Sequence, residues 1–351
     1  MFARLNKWLS EGFWGADSST NDSQADKISA EAAQVPGVQV NVDDLIAMQR
    51  YARKLDLSRR SPALAATAGN HQSRFRGRGM DYQESRVYQA GDDIRSMDWR
   101  GTARAGKPHT KLYQEERERP VMLFVDFSPS LFFGSVKALK SVVAAQVAAL
   151  LGWATARKGD RVGALLVNGK HRELPPKMGK RGVLNLIREL VTFSDPQKGL
   201  HTTFQSTHFK EELQRLRRIT RPGSLIILIS DFYAIDAANV DDIQRHLLRL
   251  RQHNDLLAIQ IIDPLEQAAP PAGRYAVTDG QQEGILDTRT SKARNDYNHF
   301  FQQHHQRIRE LMRKNKIPLL TVSTADDVAS RLQGYFSSRK RSVTEQVKEV
   351  A

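Results

Sequence analysis

The amino-acid sequence predicts an α/β protein with a doubly wound, mostly parallel sheet, preceded by a small β-rich module. Three observations carry that reading. After Pro120, five continuous apolar runs recur: Val121 to Val125, Val162 to Val167, Leu225 to Ile229, Leu256 to Ile262 and Pro318 to Val322. Helical patterns fall between and after them, and strands covered on both faces read as unbroken apolar runs. From Arg74 to Arg119 the texture is instead rich in Gly and Arg, with Tyr82, Val87 and Tyr88 between turn signals at Gly77, Gly79, Gly91 and Gly106. That is the pattern of short strands and turns.

Residues 1–39 read as a flexible amino-terminal segment, because Gly15 to Gln39 is mostly Ser, Asp, Asn, Ala and Gln with little to bury. Ahead of it, Phe2, Leu5, Trp8 and Leu9 share one face of a short helix, read as a loosely packed terminus in preference to a partner or membrane anchor. Residues 40–119 form a helix plus the β-rich module, with the helix drawn from the apolar spacing of Leu45, Ile46, Met48, Tyr51, Ala52 and Leu55. Residues 120–338 are the sheet domain. Its helices are expected at Val136 to Lys158, Arg181 to Phe193, Phe209 to Ile219, Val240 to His253, Ala293 to Lys314 and Val328 to Phe336. Arg172 to Pro175, Tyr275 to Thr278 and Gly284 to Thr288 are expected to add edge strands or hairpins. Residues 339–351 are a basic flexible tail.

The 351 residues carry a formal charge of +14 and no cysteine. The missing cysteine excludes disulfide scaffolds, Cys-ligated zinc and cysteine nucleophiles. The charge is +11 in the part after Pro120 and only +3 over 73–120, which calls for an acidic partner surface or a solvated helix face. A secretory signal is not expected from MFARLNKWLSEGFW, and the apolar stretch Val142 to Ala156 falls short of the roughly 20 residues needed to span a bilayer. A cytoplasmic protein is expected. Met178-Gly179-Lys180-Arg181-Gly182 lacks the spacing and the hydroxyl of a P-loop, and neither a G-x-S-x-G elbow nor an H-E-x-x-H helix is present. His299, His304 and His305 have no metal-ligand spacing and are expected to face solvent.

The sharpest chemical feature is Asp126, Ser128 and Ser130 in VMLFVDFSPS, at the expected end of a buried strand. Ligands of open parallel sheets bind beyond the strands' carboxyl ends. Short oxygen-bearing side chains at alternate turn positions can converge on a hard cation. Asp231 follows a second buried strand, and Thr202 and Thr203 lie in a loop just before a helix. The competing reading is that Asp126 and Ser128 only cap the following turn.

This layout resembles the metal-ion-dependent adhesion site of a von Willebrand factor A domain. The resemblance implies that the two serines and a threonine touch the metal, that Asp126 and Asp231 act largely through water, and that one position stays open for a partner's acidic side chain. Thr202 is preferred over Thr203 because Phe204 then takes the apolar position two residues later; the usual Gly-Gly before it is Leu200-His201 here. Mg²⁺ is the expected cofactor, with Mn²⁺ and Ca²⁺ as alternatives.

The string from Gly77 to Pro120 narrows the resemblance. Gly77, Gly79, Glu84, Arg86, Tyr88, Gly91, Asp92, Asp93, Arg95, Asp98, Trp99, Ala103, Arg104 and Glu116 are similar in order and spacing to the signature of the bacterial family called domain of unknown function fifty-eight, in which such a module precedes a von Willebrand factor A-like domain. The resemblance covers roughly residues 40 to 340. It implies partnership with a MoxR-type AAA+ ATPase. Physically, Gly91 permits a tight turn, Asp92 and Asp93 accept backbone N–H bonds, and Arg86, Arg95 or Arg104 pairs with Asp93 or Asp98. Trp99 is expected to pack on an arginine stem, making Glu84 to Arg104 a staple between module and sheet domain in preference to a partner contact. The interleaved arginines argue against a hydrolytic metal site at Glu84, Asp92, Asp93 and Asp98.

The expected function is a non-enzymatic, metal-dependent adaptor that recruits a partner or client of that ATPase for protein remodelling or complex maturation. A metal-dependent phosphoester hydrolase is the alternative, and a nucleic-acid-binding protein ranks third because its arginine-rich helices lack interleaved aromatics. Membrane contact is expected only through the amino-terminal segment.

Overall fold

The computed structural model describes residues 37–57, 80–89, 92, 94–115, 119–200, 206–278 and 283–337. The chain divides into two units, Thr67–Glu118 and the remainder. The remainder opens with helix α1, Val42–Ala47, begun by an Asn41 cap and followed by a 3₁₀ segment, Met48–Lys54. Leu45, Ala52, Leu55 and Leu57 are buried in the core of the sheet unit, and the Trp153 indole donates to the Leu45 carbonyl at 3.0 Å. This corrects the expectation that residues 40–119 form one module. A one-sided apolar helix needs a core to pack on, and the sheet unit supplies it.

In the smaller unit, β1 (Met80–Val87) pairs antiparallel with β2 (His109–Glu115), with a register shift between Tyr82 and Glu84. Between them a 3₁₀ turn, Ile94–Ser96, precedes α2, Trp99–Ala105, which ends on left-handed Gly106 at φ 65°. The β-rich expectation holds, with one helix inside it.

The sheet unit continues with β3 (Val121–Asp126), α3 (Lys140–Arg157), β4 (Arg161–Asn168), β5 (Lys170–Met178) and α4 (Gly179–Phe193). A one-turn helix α5 (Pro196–Gly199), α6 (Ser206–Ile219), β6 (Leu225–Ser230), α7 (Val240–Arg251) and β7 (Asp255–Ile262) follow. The hairpin β8 (Arg274–Thr278) and β9 (Glu283–Asp287), then α8 (Ser291–Lys314), β10 (Leu319–Ser323) and α9 (Val328–Ser337), complete it. The six main strands lie in the order β10-β7-β6-β3-β4-β5, all parallel except β5, which turns back on β4. Strand order therefore reverses between β3 and β6, the switch point at which doubly wound sheets open a crevice.

Both faces are covered. Leu123 and Val125 of β3 pack toward α1, α3, α4 and α9, whereas Met122 and Phe124 pack toward α6, α7 and α8. Helix α3 is buried along most of its length, from Lys140 to Thr155, so the apolar stretch seen in the sequence is a core helix. Among the described residues no helix is long and apolar enough to cross a membrane. Helix α3 starts four residues after the predicted Val136, because Leu139 is extended and its N–H bonds to the Gly37 carbonyl at 2.8 Å.

Candidate functional site

The parallel pairing of β3 and β6 brings their carboxyl ends side by side, and both ends turn on a short polar side chain. Asp126 is 1% exposed. Its Oδ1 accepts from the Ser128 N–H at 2.8 Å and its Oδ2 from the Ser230 hydroxyl at 2.6 Å. The first bond bends the chain into a turn that sets Ser128 Oγ 3.1 Å from Ser130 Oγ. On the neighbouring strand, Asp231 Oδ1 accepts from the Tyr233 N–H at 3.0 Å. Between them Phe232 takes a φ of 58°, a left-handed backbone that costs a bulky residue about 1–3 kcal/mol. The Ser230 hydroxyl accepts the Phe232 N–H at 2.8 Å, and Phe209 packs edge-on against its ring at 6.3 Å. Strain at this turn is thus held by packing, and it sets buried Asp231 beside the carboxyl end of β3.

Lys140 stands at the head of α3 with no exposure. Its ammonium donates to Asp231 Oδ2 at 2.8 Å and to Glu266 Oε1 at 2.5 Å, and lies 5.4 Å from the Tyr233 ring centre. Glu266 also accepts the Asp263 N–H at 3.0 Å. Asp263 in turn holds the Ser135 N–H and the Thr324 hydroxyl at 2.9 and 2.6 Å. A continuous polar network therefore joins the carboxyl ends of β6, β7 and β10.

Burial, and then the nearby Asp231 charge, push the Asp126 carboxyl up to about 6. Burial alone would also raise Asp231, but the Lys140 charge and hydrogen bond outweigh it and hold Asp231 below the usual carboxylate range. Lys140 is likewise held above the ordinary ammonium value, its desolvation outweighed by Asp231 and Glu266. Burial raises Glu266, offset in part by Lys140.

These residues fit a divalent cation. Adjacent oxygens of an octahedral Mg²⁺ shell lie about 3.0 Å apart, close to the Ser128–Ser130 separation. The donors are all oxygen, as a hard cation requires. Four buried carboxylates, Asp126, Asp231, Asp263 and Glu266, share the network with one buried ammonium, so a cation would offset an excess of negative charge. Among the described residues no three His, Asp or Glu side chains converge as a ligand set, so a cation here would lean on hydroxyls. Thr202 and Thr203 lie outside the described residues. The chain just ahead of them is close to the first loop: a Cβ on Gly199 would fall 1.9 Å from the Phe132 ring, so only glycine fits there.

The smaller unit departs from the expected staple. Arg86 pairs with Asp92 at 2.7 Å and not with Asp98, and the Gln89 N–H caps the same Asp92 carboxylate at 3.0 Å. Asp98 is the N-cap of α2, accepting from the Gly101 N–H at 3.1 Å and the Ser85 hydroxyl at 2.6 Å. Those two bonds, the Ser85 one first, hold its carboxyl below the usual range. Trp99, the first residue of α2, is 68% exposed and Arg104 near its other end is exposed as well, so Trp99 is not the buried part of a staple. Glu84 stands on β1 opposite Leu112, and Arg95 lies in the 3₁₀ turn. Gly91 and Asp93 lie outside the described residues.

Two histidines also differ from expectation. His304 is 5% exposed and stacks on Tyr233 at 4.4 Å, and burial, then the neighbouring His305, depress it to about 3. His305 is half-buried, between Gln260 and the Glu266 carbonyl, both at 3.2 Å. Of these three, His299 alone is exposed.

The topology and this buried polar cluster define a doubly wound α/β protein with an oxygen-rich site at its switch point. The chain belongs to the family described as "Protein of unknown function DUF58", whose model matches residues 84–307. Uncharacterized proteins of Mycobacterium tuberculosis and Mycobacterium bovis are each 28% identical to it over 291 residues, 82% of this chain and 89% of theirs. Similar solved structures include BatB from Bacteroides thetaiotaomicron, with a TM-score of 0.38, 14% identity and coverage of 64% of this chain and 100% of that one. A von Willebrand factor type A protein from Catenulispora acidiphila gives a TM-score of 0.32 at 10% identity, covering 66% of this chain and 43% of its own.

Proposed function

We propose that this protein is a non-enzymatic, cation-dependent protein-interaction module of the cytoplasm, which recruits a partner or client for a MoxR-type AAA+ ATPase. The observation that carries the reading is the Ser128–Ser130 hydroxyl pair, 3.1 Å apart beside buried Asp126 and Asp231. Ser128 and Ser130, with Thr202, would hold the ion, and Asp126 and Asp231 would act through water. When bound, Mg²⁺ supplies a position that a partner's Asp or Glu can complete. Asp126 fixes the serine turn, and Lys140 fixes the orientation of Asp231.

The same geometry argues against the hydrolase. Each oxygen of Asp126 and of Asp231 already accepts a protein hydrogen bond, so neither carboxylate is set up as a base for an attacking water. The ATPase partner is taken from the family resemblance. The test is capture of the purified ATPase by the full chain. Capture should require Mg²⁺, vanish with EDTA and with Ser128→Ala/Ser130→Ala, and fall only moderately with salt, because a bridging carboxylate is a local bond. Metal-independent capture contradicts the reading, and phosphoester turnover that disappears in Asp126→Ala favours the hydrolase.

A further inference from the structure

A second site lies at the other end of α3, near the amino ends of the strands. Here the 3₁₀ segment Met48–Lys54, the last turn of α3 and the start of α4 enclose a groove of about 710 Å³. Arg50, Arg53, Arg157 and Lys180 line it with Gln49 and Trp153, and no carboxylate is among the lining residues. A 3₁₀ helix has three residues per turn, so Arg50 and Arg53 stand in line on one side of it. The frame is firm. A Cβ on Gly152 would lie 3.1 Å from Leu186, so α3 and α4 are closely packed, and Trp153 is fixed from below by its bond to Leu45.

Several basic groups elsewhere in this unit, Arg172, Arg188, Arg215, Lys210, Arg245 and Lys158, are neutralised by a carboxylate partner. Arg50, Arg53, Arg157 and Lys180 form no ion pair with a described residue; Arg50 lies over the Tyr51 ring at 4.7 Å. Like charges gathered round one cavity repel, and the +14 of the chain adds no compensation. We infer that this groove is an anion-binding site for a small oligophosphate, taken either free or as the phosphate tail of a nucleotide. Three guanidinium forks match phosphate oxygens two at a time, and four positive charges match the charge of a triphosphate. The volume falls in the range of small-molecule sites.

The inference is independent of the cation site and is tested without it, in EDTA. Inorganic triphosphate is titrated calorimetrically into the full chain at about 0.15 M salt, and ATP into a second sample. One ligand per chain is expected for triphosphate, with ATP binding equally if only the phosphates are held and more tightly if the base is also used. Arg50→Gln with Arg157→Gln, both exposed, should weaken binding about tenfold or more. The control pair Arg217→Gln with Arg249→Gln removes the same charge from α6 and α7 and should leave affinity within about twofold. No binding to the wild type, or equal weakening by both pairs, overturns the site.

Discussion

Lys140 shows how one residue can hold a site together. Taking an ammonium and two carboxylates out of water is costly, and the arrangement survives because each charge finds its opposite at hydrogen-bond distance. Removing one partner leaves the others uncompensated. Lys140→Met is therefore expected to cost about 3–5 kcal/mol in urea unfolding. Lys140→Met with Glu266→Met, which removes one charge of each sign, should recover part of that loss. Little in the sequence announces this residue. Glu266 is 126 positions away, and a lysine ahead of an apolar helix reads as solvated. The available signal was its sign, since the amino end of a helix favours acids over bases. Asp126, by contrast, was legible from its strand and its D-x-S-x-S spacing. Its burial was not, and Asp126→Ala, which strands the Ser230 hydroxyl and the Ser128 N–H, is expected to cost about 1–3 kcal/mol as well as the cation.

At the level of elements, local and tertiary signals separate. The five apolar runs and the long helices were readable because each satisfies a simple period, and the hairpin of β8 and β9 follows the predicted strands within a residue or two. The placement of the segment from Val42 to Lys54 on the sheet unit was not, because Trp153, which bonds to Leu45, lies 108 residues on. Helix α2 gives a direct check. Trp99→Ala should change the melting temperature little, since exposed side chains away from special features contribute within about 0.5 kcal/mol. Asp98→Ala, which removes the N-cap, should cost about 1–2 kcal/mol. Helix α8 gives a pH check. His304 is neutral in the folded state down to about 3, whereas the unfolded chain binds that proton near pH 6.5. Its contribution to stability is thus present above that value and lost as pH falls toward 3. The urea midpoint of the wild type should drop more between pH 6.5 and 4 than that of His304→Phe, and parallel curves would contradict the assignment.

At the level of the whole molecule, the strand order decides where chemistry can occur. Asp126 and Asp231 are 105 residues apart, yet they meet because β3 and β6 are the pair at which the winding reverses. Sequence supplied the residues and the sheet edge, and the fold supplied their adjacency together with the Lys140 network behind them. The central claim is that Ser128 and Ser130 hold a divalent cation at this edge. Its most direct test is calorimetric titration of Mg²⁺ into the wild type and into Ser128→Ala/Ser130→Ala. The account predicts one cation per chain for the wild type and none for the variant, with both proteins folded. A wild type that takes up no Mg²⁺, Mn²⁺ or Ca²⁺, or a variant that binds as well as the wild type, would contradict it.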